Sequence, residues 1–137
     1  MKKLEQIKVL LNIATWISIV LVFGMALFQF SLTLGAPLGA FVLGGKHRVL
    51  PVKMRLVSVF FFLFFTIMGL SFLQRANKIT AIFNVTIVNV LLVIYTLFLA
   101  YAIVGNGFLT KSKKEKYLMT PLSIVGFISS VYFLFNN

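Results

Sequence analysis

Long apolar runs alternate with short polar segments along this chain, and the pattern predicts four membrane-spanning helices. The apolar runs cover residues 9–34, 56–73, 79–104 and 117–135. A helix needs about 20 such residues to cross a hydrocarbon core roughly 30 Å thick. Because backbone polar groups within a bilayer must be paired inside their own segment, the runs are expected to be helices. The predicted fold is therefore an all-α, polytopic four-helix bundle that forms a single membrane domain over residues 1–137.

The composition supports this class and excludes several others. Hydrophobic residues make up 61% of the chain and charged residues 11%, against about 25% charged in soluble domains. The 13 Lys and Arg face two acidic residues, for a net charge of +11. A nucleic-acid-binding domain carries such charge on a soluble scaffold, so no nucleic-acid partner is expected. With no Cys and a single histidine, His47, neither a metal site nor a cofactor is predicted.

The distribution of Lys and Arg predicts an orientation in the plasma membrane. The first and third loops carry four each, whereas the N-terminus carries three and the second loop two. Since cytoplasmic loops are enriched in these residues, loops one and three are predicted to be cytoplasmic. The lipid bilayer and its anionic headgroups are the expected partners, together with a second copy of this chain or another membrane protein.

The first loop is unusual because it is both apolar and rich in Gly and Pro. Its distinctive positions are Gly35, Pro37, Gly39, Gly44 and Gly45. A re-entrant or interfacial segment is expected, with protein covering its non-helical backbone.

Proline and glycine also punctuate the predicted helix ends. Pro51 is expected at the first position of helix two, and Thr120-Pro121 at the start of helix four. Gly105-Asn106-Gly107 is expected to end helix three, and residues 74–78 to join helices two and three.

Basic residues cluster where the first loop enters helix two. They are candidate contacts for an anionic lipid headgroup or a small phosphate-bearing ligand, since helix N-termini attract anions. The set is Lys46, His47, Arg48, Lys53 and Arg55. The simpler and preferred interpretation is a topology signal with general headgroup attraction.

Uncharged polar residues recur at helical spacing inside the predicted spans. The sets are Thr15, Ser18, Gln29 and Thr33 in helix one, Ser58 in helix two, Thr86, Asn89 and Thr96 in helix three, and Ser123, Ser130 and Asn137 in helix four. Helix packing through interhelical hydrogen bonds is the preferred explanation. The alternative is a narrow conduit lined by Gln29, Asn84 and Asn89. Because no ionisable residue lies inside the predicted cores, with Glu5 and Glu115 outside them, a proton-coupled transporter is disfavoured.

Two loop patterns resemble a family of uncharacterised small four-helix bacterial membrane proteins. The first is the stretch from Leu34 to Ser58, with the glycines and prolines named above, Leu50 and Arg55. The second pattern is Asn106, Ser112, Glu115, Lys116 and Pro121. The family usually has Arg where this chain has Lys116, and often Trp where it has Leu38. The resemblance implies a bacterial plasma-membrane protein of the same shape and carries no activity. It links the two loops, so Glu115 is hypothesised to pair with Arg55 or Arg48.

These observations favour a non-enzymatic accessory or interaction module. One alternative is an oligomeric channel or transporter lined by the uncharged polar stripes. Another is an enzyme acting on a membrane substrate, for which His47 and Glu115 are the only plausible proton-transfer groups. The enzyme hypothesis lacks support, because the sequence shows no convincing nucleophile, base pair or set of metal ligands.

Overall fold

The computed structural model describes residues 1–136, and within them the chain is helical with no strand. The helices are α1 (Lys2–Thr33), α2 (Val52–Arg75), α3 (Val85–Val104) and α4 (Lys113–Phe135). A π-helical segment, Gly105–Leu109, extends α3. All four helices are long and apolar enough to cross a membrane. The predicted all-α fold with four membrane-spanning helices is therefore confirmed; Asn137, assigned to the helix-four stripe, lies outside the described residues.

The helices form two closely packed antiparallel pairs, α1 with α2 and α3 with α4, joined more loosely to each other. A glycine brings the first pair together, because a Cβ on Gly69 would lie 2.6 Å from the ring of Phe23. Aromatic rings connect the pairs: Phe64 of α2 lies 5.0 Å from Phe98 of α3, and Phe72 lies 4.6 Å from Phe133 of α4, between ring centroids. The Phe-rich helix thus supplies much of the core.

Helix α1 begins earlier than its apolar run, at Lys2. Residues 1–14 are exposed, and the first buried position is Thr15. Trp16 lies beside the connection between α2 and α3, where the Nζ of Lys78 is 5.3 Å from the centre of its ring. The helix extends to Lys2 because residues 2–8 are mostly strong helix formers. Glu5 lies in the first turn, where a carboxylate interacts favourably with the helix dipole.

The connection between α2 and α3 is longer than predicted, spanning residues 76–84 in place of 74–78. The side chain of Gln74 holds it: Oε1 accepts from the backbone N–H of Ile82 and Phe83 at 3.0 and 2.9 Å, and Nε2 donates to the Phe83 carbonyl at 2.6 Å. These bonds replace those of a helix, so the predicted start at residue 79 is wrong. Helix α3 instead begins after Asn84, whose Oδ1 accepts from the Ile87 N–H at 2.8 Å.

Removing the Asn84 cap is expected to weaken α3. Asn84→Ala should lower the free energy of unfolding by about 1 kcal/mol, because the Ile87 N–H loses its acceptor. Asn84→Ser retains an acceptor oxygen and should stay close to wild type. Unfolding titrations in mixed detergent micelles measure both variants, and equal stabilities for Ala and Ser would contradict a capping role.

The junction of α3 and α4 also differs from the prediction. Gly105 has right-handed helical φ and ψ, and the segment Gly105–Leu109 continues the helix instead of ending it. Helix α4 starts at Lys113 with Ser112 as its N-cap, which places Pro121 inside the helix. Thr120, predicted as the cap, is internal, and its buried hydroxyl has no hydrogen-bond partner among residues 1–136. At the start of α2, Pro51 is the N-cap itself and precedes the first helical residue by one position.

Candidate functional site

Loop 1, which the structure confines to residues 34–51, folds against the start of α4. Two hydrogen bonds make this contact: the Gly44 N–H donates to Oε2 of Glu115 at 2.8 Å, and the Ser112 hydroxyl donates to the Ala40 carbonyl at 2.6 Å. We name these four residues the loop junction. They bring together Gly44 and Glu115, two positions that the resemblance had linked.

The conformation of loop 1 aims its backbone at Glu115. Two short 3-10 turns, Gly39–Phe41 and Leu43–Gly45, form the loop. Gly44 and Gly45 have φ values of 77° and 72°, in the left-handed region that glycine adopts without penalty. Leu43 precedes them with φ of 51°. With this backbone, the Gly44 N–H donates to the buried carboxylate of Glu115.

Loop 1 also closes on itself at Gly39. The Gly39 N–H donates to the Arg48 carbonyl at 2.8 Å, and a Cβ on Gly39 would lie 2.0 Å from the carbonyl oxygen of His47. Two backbone segments of loop 1, at Gly39 and at residues 47–48, therefore lie so close together that no side chain fits between them. Pro37 is exposed nearby and makes the turn without a backbone donor.

Arg55 secures the return of loop 1 into α2. Its Nε donates to the carbonyl of the buried Leu50 at 2.9 Å, and its guanidinium lies against Gly35, 3.1 Å from the position of a Cβ there. Arg55 is half-buried. Of the five basic residues predicted as headgroup contacts, this one therefore holds the loop.

The other four predicted contacts, Lys46, His47, Arg48 and Lys53, are exposed at the loop 1 end of the bundle. Four lysines at the start of α4 share this end, and all are exposed: Lys111, Lys113, Lys114 and Lys116. We name these eight exposed residues the basic face. Lys114 also holds its Nζ 5.9 Å from the ring centre of Phe41 and so contacts loop 1.

Glu115 does not form the predicted ion pair with Arg55 or Arg48, nor a local one with its lysine neighbours. Its side chain is 8% exposed and points inward. Among residues 1–136, the carboxylate accepts a hydrogen bond from the Gly44 N–H. Arg55 is already bonded to Leu50. Glu115 also lies inside α4, not in the loop before it. Glu115 is thus an ionisable residue within a helix long enough to cross a membrane, so the predicted absence of such residues does not hold at this position.

A cavity of about 420 Å³ lies between the two helix pairs. All four helices and residues 41–44 of loop 1 contribute to its lining, which is mostly apolar. Glu115 borders it, as do Gln29 of α1 and Ser58 of α2. The loop junction thus adjoins a membrane-embedded cavity.

The intramembrane polar residues have three different environments. Gln29 is buried and lines the cavity, whereas Asn84 is exposed and caps α3. Asn89 accepts a hydrogen bond from the Arg75 guanidinium and so joins α3 to α2. Two other stripe residues also bond across helices: Ser18 bonds Ser129 of α4 at 2.7 Å, and Thr96 bonds Ser130 at 2.8 Å, between hydroxyl oxygens. These contacts favour the packing interpretation for Ser18, Asn89, Thr96 and Ser130.

Sequence reasoning missed Ala40, and it named Ser112 only as part of the resemblance. The Ser112-x-x-Glu115 spacing is the signature of a capping box, in which the Glu side chain returns to the N-cap N–H. Half of that box is present, since the Ser112 hydroxyl accepts from the Glu115 N–H at 3.2 Å. The Glu115 side chain instead reaches Gly44. The motif predicts the helix start; no local signal predicts the diverted carboxylate or Ala40, whose carbonyl is the acceptor.

Comparisons with protein-family profiles, curated protein sequences and solved structures gave no match to this chain.

Proposed function

We propose that this chain is a non-enzymatic interaction module of the plasma membrane that binds anionic lipid headgroups through its basic face. The supporting observation is the inward orientation of Glu115, the one acidic side chain at this end of the bundle. Glu5, the other acid of the chain, lies in the first turn of α1 at the opposite end. The exposed cations of the basic face therefore have no carboxylate side chain to neutralise them.

The loop junction gives this charge a fixed arrangement. Loop 1 and the start of α4 are hydrogen-bonded to each other at two points, so their basic side chains project from one bonded unit. Each Lys or Arg near an anionic surface contributes about 1 kcal/mol of attraction. We place the basic face on the cytoplasmic side, in accordance with the excess of Lys and Arg in loops one and three.

The position of His47 supports a non-enzymatic role. His47 is exposed on loop 1, whereas Glu115 is buried and bonded to backbone. A catalytic pair would need both groups within reach of one substrate atom.

The test of headgroup binding compares two ends of the same chain. Replacing Lys46, Arg48 and Lys53 with Gln should weaken phosphatidylglycerol binding by about fivefold per removed cation, as expected for about 1 kcal/mol each. Native mass spectrometry of protein released from phosphatidylcholine nanodiscs titrated with phosphatidylglycerol measures the retained lipid. The matched control replaces Lys2, Lys3 and Lys8 with Gln, outside the basic face. An equal loss in both triple variants would refute a specific face.

The oligomeric channel or transporter is the second candidate, and the cavity is the observation that favours it. A conduit needs polar side chains that are free to bind the permeating molecule. Here the Ser18–Ser129 and Thr96–Ser130 pairs use their hydroxyls to hydrogen-bond one helix to another. The same mass spectra report subunit number. A strict monomer would disfavour a conduit built from several copies.

A further inference from the structure

Two buried polar side chains in the cavity have no protein partner. Gln29 is 7% exposed and Ser58 2% exposed, and both line the cavity. Within residues 1–136, neither the Gln29 amide nor the Ser58 hydroxyl makes a hydrogen bond. Protein does not seal off their polar atoms, in contrast to the Thr120 hydroxyl, so a molecule in the cavity can supply the missing partner.

The two groups lie near the same end of the cavity. Phe30 and Phe62 are in ring contact, with centroids 5.2 Å apart, which sets the register of α1 against α2. Gln29 adjoins Phe30 in sequence, and Ser58 is one helical turn from Phe62. One polar head group can therefore contact both side chains. The Tyr95 hydroxyl, which also borders the cavity and makes no hydrogen bond within the described residues, lies deeper in the bundle.

The remaining wall accepts an apolar chain. It contains Met25 and Phe61 from the first helix pair and Phe98, Leu99 and Met119 from the second. The volume of about 420 Å³ is many times the roughly 10–15 Å³ that one water molecule requires, so the cavity has room for an alkyl chain. Water alone is a poor occupant of such a site, because a buried water needs two to four polar partners.

The electrostatics of the lining select a neutral head group. None of the described residues that line the cavity is Lys, Arg or His, and Glu115 is its carboxylate. An anionic head would meet that carboxylate in surroundings of low dielectric constant, with no cation to offset it. A hydroxyl can both donate and accept, as the Gln29 amide and Ser58 hydroxyl require.

We infer that the cavity binds a single-chain neutral amphiphile, with its hydroxylated head group at Gln29 and Ser58 and its alkyl chain along the apolar wall. This site is separate from the basic face, which is exposed and binds anions in the proposal above. Membrane lipids with a neutral hydroxyl head and free long-chain alcohols share the required chemistry.

The test uses a dodecanol that carries a diazirine in its chain, incorporated with the protein into lipid nanodiscs without detergent. After irradiation, mass spectrometry should locate the label on cavity residues such as Met25 and Leu99. Excess dodecan-1-ol should compete at least tenfold better than dodecanoate at neutral pH, and excess monoacylglycerol tests the lipid source of the same chemistry. Labelling confined to lipid-facing side chains such as Phe60, or equal competition by dodecanoate, would overturn the inference.

Two variants separate the ligand from the fold. Gln29→Leu and Ser58→Ala should each reduce cavity labelling by about fivefold, the effect of losing one hydrogen bond of ordinary strength. Because neither side chain has a protein partner, the unfolding midpoint should stay at or above the wild-type value. Ser31→Ala is the matched control, since the Ser31 hydroxyl is bonded to the Phe28 carbonyl and lies outside the cavity lining. Unchanged labelling in both cavity variants would refute the site.

Discussion

Replacing Gly39 with alanine is expected to unseat loop 1 and to lower the free energy of unfolding by about 3 kcal/mol, the upper end of the usual cost of overpacking. The added Cβ would lie 2.0 Å from the His47 carbonyl oxygen and 2.9 Å from that of Arg48. These are backbone atoms, which cannot rotate away as a flexible side chain can. The hydrogen bond from the Gly39 N–H to the Arg48 carbonyl would break as the two backbone segments separate.

Gly24→Ala is the control for this prediction. A Cβ on Gly24 would meet nothing within 4 Å, and the residue lies inside α1. Alanine there should stabilise the helix by about 0.5–1 kcal/mol. Unfolding titrations in mixed micelles report both variants. If the Gly39→Ala protein were as stable as the Gly24→Ala protein, the backbone at Gly39 could not lie as close to the His47 and Arg48 carbonyls as described.

Replacing Glu115 with alanine is expected to cost about 2 kcal/mol, within the range for hydrogen bonds to charged groups. The Gly44 N–H would lose its acceptor in a position that protein covers. Glu115→Gln retains an acceptor oxygen and should lose less than half as much. The comparison separates the hydrogen bond from charge, because the Gln variant removes the charge alone.

Lys116→Ala is the matched control for Glu115, as an exposed neighbour in the same helical turn. Its effect should stay within about 0.5 kcal/mol, as for most surface substitutions. If Glu115→Gln and Glu115→Ala were destabilised equally, the carboxylate charge would be responsible, and the bond to Gly44 would not explain its burial.

The number of helices could be predicted from the sequence, but not where several of them begin. Apolar length alone determines how many segments can cross a bilayer. The start of α3 depends on two side chains: Asn84 caps the helix, and Gln74 bonds the backbone groups of Ile82 and Phe83 before it. The cap is a local signal that the continuous apolar run masked, whereas the Gln74 contact leaves no pattern at helical spacing.

Helix α4 shows how two valid local signals compete. Thr120-Pro121 is a good helix start, and so is Ser112-x-x-Glu115. The earlier one prevails, and its Ser112 hydroxyl also bonds Ala40 across the bundle end. Proline is tolerated inside a membrane helix because neighbouring groups satisfy the freed backbone.

The partners of the candidate site were harder to predict than its members. Gly44 and Glu115 were both identified, but only the resemblance connected them, and the expected partner of Glu115 was an arginine. Charge alone favours that pairing. The left-handed backbone at Gly44 supplies a closer donor, while Arg55 is committed to Leu50. Backbone geometry of this kind is set by the folded loop.

Hydrogen exchange at the Gly44 amide tests most directly the claim that loop 1 and α4 form one bonded unit. The chain has nine glycines, so NMR of glycine-labelled protein in nanodiscs can follow each one. We expect the Gly44 amide to be protected in the wild type and in Lys116→Ala, and to exchange at least tenfold faster in Glu115→Ala. A Gly44 amide that exchanges at the same rate with and without the Glu115 side chain would contradict the claim.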